Sequence, residues 1–110
     1  SGTSDELLMN QRLISYLSMI SYIYTERALK VGQTDKVAKY LAIYKNADPD
    51  NPDVYFFEAV RFAMLKQDKE TINALQKAKE KGFDDFSKIE KFKSFDYLKE
   101  NVDFKTIVGR

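Results

Sequence analysis

An all-α fold of paired helices follows from three features of this 110-residue chain. Apolar residues recur in steps of three and four, the helical period, and no stretch alternates strictly as a half-buried strand would. Gly32, Asn51–Pro52 and Gly82 stand where helices should stop and start. Residues 18–51 and 52–83 read as the same helix–turn–helix unit laid head to tail, each roughly 34 residues long. Such a unit cannot bury its apolar face alone, so it stacks on neighbours.

Residues 3–17 are predicted as a helical extension running into the first unit. Thr3 and Glu6 have capping-box spacing, with Ser4 the competing N-cap. Leu13, Leu17, Ile20, Tyr24, Ala28 and Val31 form the predicted inward stripe, widened by Tyr16 and Ile23. One unbroken helix over residues 4–31 would be roughly 40 Å long. Gly32 suits the left-handed position that closes it. Thr34 or Asp35 can cap the second helix, which carries Val37, Ala38, Leu41 and Tyr44 inward and stops at Asp48–Pro49.

Asn51 as N-cap and Pro52 at the first helical position restart the chain. The third helix, to about residue 66, presents Tyr55, Phe56, Ala59, Phe62, Ala63 and Leu65. A Gln67–Asp68 turn leads to the fourth, with Ile72, Leu75 and Ala78 inward, ending at Gly82. Residues 84–110 are predicted as capping helices. Phe83, Phe86, Ile89, Phe92, Phe95, Leu98, Phe104 and Ile107 recur along this stretch. Asp84 or Asp85, Ser94 and Asn101 sit at expected helix starts. The whole chain reads as one domain.

Composition narrows the function. Apolar residues make up 44% and charged residues 32%, the balance of a soluble globular domain. Eighteen basic against 17 acidic residues leave a net charge of +1. Nucleic-acid binding, which needs a concentrated positive surface, is therefore not expected. The chain has no cysteine and no histidine. Disulfides, thiolate metal sites and the commonest general base are thereby excluded. No catalytic residue, cofactor or metal is expected, and the chain reads as a non-enzyme.

The most apolar window, residues 13–24, is broken by Ser15, Ser18 and Ser21, and is too short and polar to insert in a bilayer. The opening Ser1–Gly2, without an initiator methionine, is the expected mark of a trimmed chain. A soluble domain of the cytoplasm or, with an export signal outside this sequence, of the cell envelope is equally consistent with that.

Tyr55, Ala59 and Phe62, followed by Ala78, together with Pro49 before the second unit, resemble the tetratricopeptide repeat pattern. That pattern sets an early aromatic, a small residue one turn later and another aromatic, then a small residue late in the second helix. The chain departs from it at Ser21, Thr25, Val37, Tyr44, Thr71 and Phe83. The resemblance implies a right-handed superhelical stack whose concave groove, lined by the first helix of each pair, binds a peptide or helix of a partner. It places Met19, Tyr22, Glu26 and Leu29 of the first unit in the groove. From the second it places Asp53, Phe56, Val60, Ala63 and Met64 there. Lys, Asn and Arg, which clamp a terminal carboxylate in one form of this family, are not at those positions, so an apolar partner is implied.

Other clusters have plainer readings. Asp48, Asp50 and Asp53 lack the ligand and glycine spacing of a calcium loop and punctuate helices instead. Asp84–Asp85 is the place for the alternative function, a small-ligand binder or a carboxylate-dependent hydrolase, although an N-cap role is favoured. Lys77, Lys79, Lys81, Lys91 and Lys93 alternate with Glu80 and Glu90 as a solvated face would. Leu7, Leu8, Leu13, Ile14 and Leu17 leave the first helix with more apolar surface than a peripheral helix needs. Its cover is expected from the tail, an upstream domain or a second copy, with a homodimer through residues 7–17 favoured.

Overall fold

The computed structural model describes residues 2–109, with side chains from residue 4. Four helices lead: α1 (Gly2–Lys30), α2 (Thr34–Ala47), α3 (Pro52–Met64) and α4 (Asp68–Glu80). Two 3₁₀ segments follow, Phe86–Lys91 and Lys93–Leu98, then α5 (Val102–Val108). No strand occurs among the described residues. α1 packs on α2, and α3 on α4; α3 also touches α1, α2 and the second 3₁₀ segment.

Three helices close in the same way. The amide of Gln33 donates to Ala28 O (3.0 Å), that of Gln67 to Phe62 O (3.0 Å) and that of Phe83 to Ala78 O (2.9 Å). This six-to-one bond requires a left-handed residue just before the donor. Gly32 (φ 75°) and Gly82 (φ 105°) supply it twice. The third is Lys66 (φ 59°), which bears the strain of a side chain there while its ammonium lies 4.1 Å from the Tyr97 ring centre.

Asn51 caps α3 by accepting from the Asp53 amide (2.9 Å), with Pro52 first in the helix. Asn101 caps α5 by accepting from the Phe104 amide (3.0 Å). Elsewhere capping differs from expectation. The backbone is already helical at Gly2, so Ser4 is no cap; the Thr3 side chain lies outside the described residues. Gln33, not Thr34 or Asp35, precedes α2, and Ser94 sits inside the second 3₁₀ segment, which starts after Phe92. Asp85 precedes the first without capping an amide, its carboxylate accepting instead from the Ser87 hydroxyl. α3 stops at Met64, about two residues short of the predicted end.

The largest correction concerns α1. Leu13, Leu17, Tyr24 and Val31 of the predicted stripe are exposed, and the buried face is Ser21, Thr25, Ala28 and Leu29. Small side chains let α1 approach the body closely, so size rather than hydropathy decided its orientation. Only the second half of α1 packs. With 29 residues against 14 in α2, it outruns its partner by about 22 Å. This overhang stretches the molecule to 57 Å, against 27 and 20 Å across.

The core lies on α3. Val54, Phe56, Ala59, Val60 and Ala63 are wholly inaccessible, and Tyr55 and Phe57 nearly so. Phe56 stacks on Phe83 (ring centres 4.6 Å apart) and meets Phe92 and Phe95 at 5.8 and 6.0 Å. The tail thus folds onto the first helix of the second pair through aromatic contacts.

Candidate functional site

Tyr22 and Glu26 from α1, Asp53 from α3 and Lys88 from the tail converge beside this aromatic core. Tyr22 packs its ring on Phe57 (5.0 Å) and its hydroxyl donates to Glu26 Oε2 (3.4 Å). Lys88 Nζ donates to the Tyr22 hydroxyl (3.2 Å), lies 5.4 Å from its ring centre, and sits 3.8 Å from Asp53 Oδ1. Burial pushes the Asp53 carboxyl above its ordinary range; Lys88 pulls it down and Asp85 adds to the rise. Burial works against the Lys88 charge, but the Tyr22 bond and Asp53 outweigh it, so the ammonium is held upward. The two shifts are unequal in kind because a 3.8 Å bridge secures the lysine without repaying Asp53 for its lost water.

That inequality predicts a pH dependence. A carboxyl whose pKa is raised on folding binds its proton more tightly folded, so its contribution falls as pH rises from the unfolded toward the folded value. Asp53→Asn should flatten this part of the stability profile and match or exceed wild type at pH 7. Urea midpoints between pH 4 and 7, at one protein concentration, check it. A variant much weaker at pH 7 would mean that the Lys88 bridge dominates.

The residues predicted for the groove separate into two groups. Tyr22, Glu26, Asp53 and Met64 are half-buried, and Met19 is exposed. Phe56, Val60, Ala63 and Leu29 are buried. Phe56 lies against tail aromatics where a partner was expected, so Phe56 and Val60 present no surface to one. A groove lined by Met19, Tyr22, Glu26, Phe56, Val60 and Met64 is not open in this structure.

A cleft of about 380 Å³ remains open, lined by Leu29 and Lys30 of α1 and by Lys91, Phe92, Lys93 and Ser94 of the tail. Leu29 and Phe92 are buried side chains, whereas the three lysines are exposed. Lys30 is drawn toward Glu26 (3.7 Å). No carboxylate lines the cleft. Sequence spacing grouped Lys91 and Lys93 with the lysines of α4 and left out Lys30, which is remote in sequence.

The second open surface is the α1 overhang. Every residue from 4 to 17 is exposed, including Leu7 (60%), Met9 (64%), Leu13 (54%), Tyr16 (58%) and Leu17 (43%). The tail does not cover it, which removes one of the three covers expected from sequence.

The acidic clusters are otherwise engaged or open to water. Asp48 accepts from Ser18 Oγ and Asn51 Nδ2, both 2.9 Å, and Asp50 binds Lys81 (2.8 Å). Asp84 and Asp85 are both exposed. No group of three or more acidic side chains is placed to hold a metal ion among the described residues. Nor, among them, is any helix long and apolar enough to cross a membrane. In comparisons with known proteins, no family model, no curated protein and no solved structure matches the chain.

Proposed function

We propose that the chain is a non-catalytic interaction module, a tetratricopeptide-like stack of two helix pairs, that docks a second copy of itself through the first half of α1. The uncovered overhang carries this reading. Its apolar side chains span half the helix circumference, from Tyr16 and Met9 through Leu13 and Leu17 to Ile14 and Leu7. At about 100 Å² for each half-exposed large side chain, these six offer on the order of 600 Å². Across two copies that is about 1,200 Å², the low end of standard stable interfaces.

Leu7, Asn10, Ile14 and Leu17 alternate steps of three and four in line with buried Ser21 and Ala28. The spacing suits a seam between two like helices. An anionic membrane is a poorer occupant, because the overhang carries only Asp5, Glu6 and Arg12 as charges.

Burial at a constant offset supports the two-pair reading. Ser21 and Tyr55, Thr25 and Ala59, Val37 and Thr71, Leu41 and Leu75, and Tyr44 and Ala78 are all buried. The left-handed turns at Gly32 and Lys66 keep the same offset. The alternative, hydrolysis or small-ligand binding at Asp84–Asp85, is less well supported, because both carboxylates are exposed to water.

Sedimentation equilibrium tests the reading. Wild type should approach twice its 12.8 kDa chain mass at tens of micromolar. Ile14→Glu should raise the dissociation constant at least tenfold, while Ser15→Glu, on the polar side of the same turn, should not. Hydrophobic-dye fluorescence in the same samples separates the parts of the proposal. A wild-type monomer that binds dye, and loses it in Ile14→Glu, removes self-pairing and leaves the overhang as a surface for another partner. A monomer without dye binding removes both.

A further inference from the structure

We infer that the cleft between the end of α1 and the junction of the two 3₁₀ segments binds an acidic peptide segment carrying an aliphatic side chain between carboxylates. This goes beyond the docking face of α1 and shares no residue with it. The cleft has two chemically distinct parts. Its apolar part is Leu29 and Phe92, 4% and 6% exposed, and Phe92 is held edge-on by Phe56 at 5.8 Å. That floor is fixed before any ligand arrives, so little ordering cost falls on binding.

Its rim is cationic: Lys30, Lys91 and Lys93, with the Ser94 hydroxyl beside them. Lys30 is partly compensated by Glu26 (3.7 Å), but with no carboxylate among the lining residues Lys91 and Lys93 leave an excess of positive charge that an anionic partner would neutralise. At about 380 Å³ the cleft falls within the usual 300–1,000 Å³ of ligand sites. It has room for one side chain and its flanking carboxylates.

The floor decides the class of partner. Leu29 and Phe92 together expose only a narrow apolar strip, which an aliphatic side chain can cover and a stacked base cannot, and three lysines are few for a nucleic-acid track. A phosphate or free acid would use the lysines and leave Leu29 and Phe92 without a role. An acidic peptide with a leucine uses both parts. Its carboxylates form charge-assisted hydrogen bonds to the ammonium groups, and the leucine covers the floor.

The test is fluorescence anisotropy with a fluorescein-labelled peptide of sequence Glu-Glu-Leu-Glu-Asp at low salt. Lys91→Ala/Lys93→Ala, at exposed positions, should keep the wild-type melting curve and weaken binding about tenfold or more. Lys36→Ala/Lys39→Ala, which removes the same charge from α2, should stay within twofold. Replacing the peptide's leucine by serine should weaken binding severalfold.

Equal loss in both lysine pairs would reduce the effect to bulk charge and overturn the inference. So would indifference to the leucine, or displacement of the peptide by an equimolar single-stranded oligonucleotide, which would favour nucleic acid. Ile14→Glu should bind the peptide as wild type does. Absence of peptide binding in a protein that still dimerises would remove this inference alone.

Discussion

Phe56→Ala should destabilise the fold by about 3–5 kcal/mol, the range for truncating a buried aromatic side chain. Phe56 is wholly inaccessible and its ring touches those of Phe57, Phe83, Phe92 and Phe95. The cavity would open where α3 meets the tail, and four aromatic rings cannot collapse into it without leaving their mutual geometry. Chemical denaturation measures the loss directly. The same variant decides the role of this position. A groove residue that waits for a partner would cost binding and leave the denaturation midpoint nearly unchanged. An unfolding free energy within about 1 kcal/mol of wild type would restore Phe56 to a partner surface, against its burial here.

The helix order was legible because local chemistry dictates it. Gly32 and Gly82 meet the left-handed requirement of a helix end, Asn51–Pro52 starts α3, and Asn101 starts α5, all read from a few adjacent residues. Lys66 was not legible, since nothing in a lysine announces a left-handed backbone. The orientation of α1 was misread for a related reason. Periodicity identifies an apolar stripe, yet close helix approach selects small residues, and Ser21, Thr25 and Ala28 form the packed face.

The candidate site was less legible still. The repeat pattern places Tyr22, Glu26 and Asp53 on a groove lining without saying which of them meet; in the structure they converge on Lys88. Lys88, which joins them, lies 66 positions from Tyr22 and carries no local sign of that contact. The repeat pattern assigns Phe56 and Val60 to a groove, but no local signal announces that Phe56 packs against the chain's own Phe83, Phe92 and Phe95. Lys30 is about sixty positions in sequence from Lys91 and Lys93, with which it lines the cleft. Only tertiary packing assembles them.

Removing residues 83–110 should abolish cooperative unfolding of what remains. The deleted segment contributes Phe83, Ile89, Phe92, Phe95, Leu98, Phe104, Ile107 and Val108 as buried side chains. Each is worth about 1.5–3 kcal/mol when fully buried, before the entropy of ordering the segment is set against it. A domain of this size retains only about 5–15 kcal/mol in total. The remaining 82 residues would also expose Phe56 to water. Far-UV circular dichroism during heating should show a broad, low-amplitude loss of helix in place of a sharp transition, with strong hydrophobic-dye binding at room temperature. Repeat arrays provide the contrasting expectation, because their stability is a sum of unit and nearest-neighbour terms and an end can be removed stepwise. A truncated chain that melts sharply with its helix content intact would show that the two pairs are self-sufficient. The tail would then be a cover over an apolar groove of Tyr22, Phe56, Val60 and Met64, and the truncated chain would be the form in which to look for a partner there.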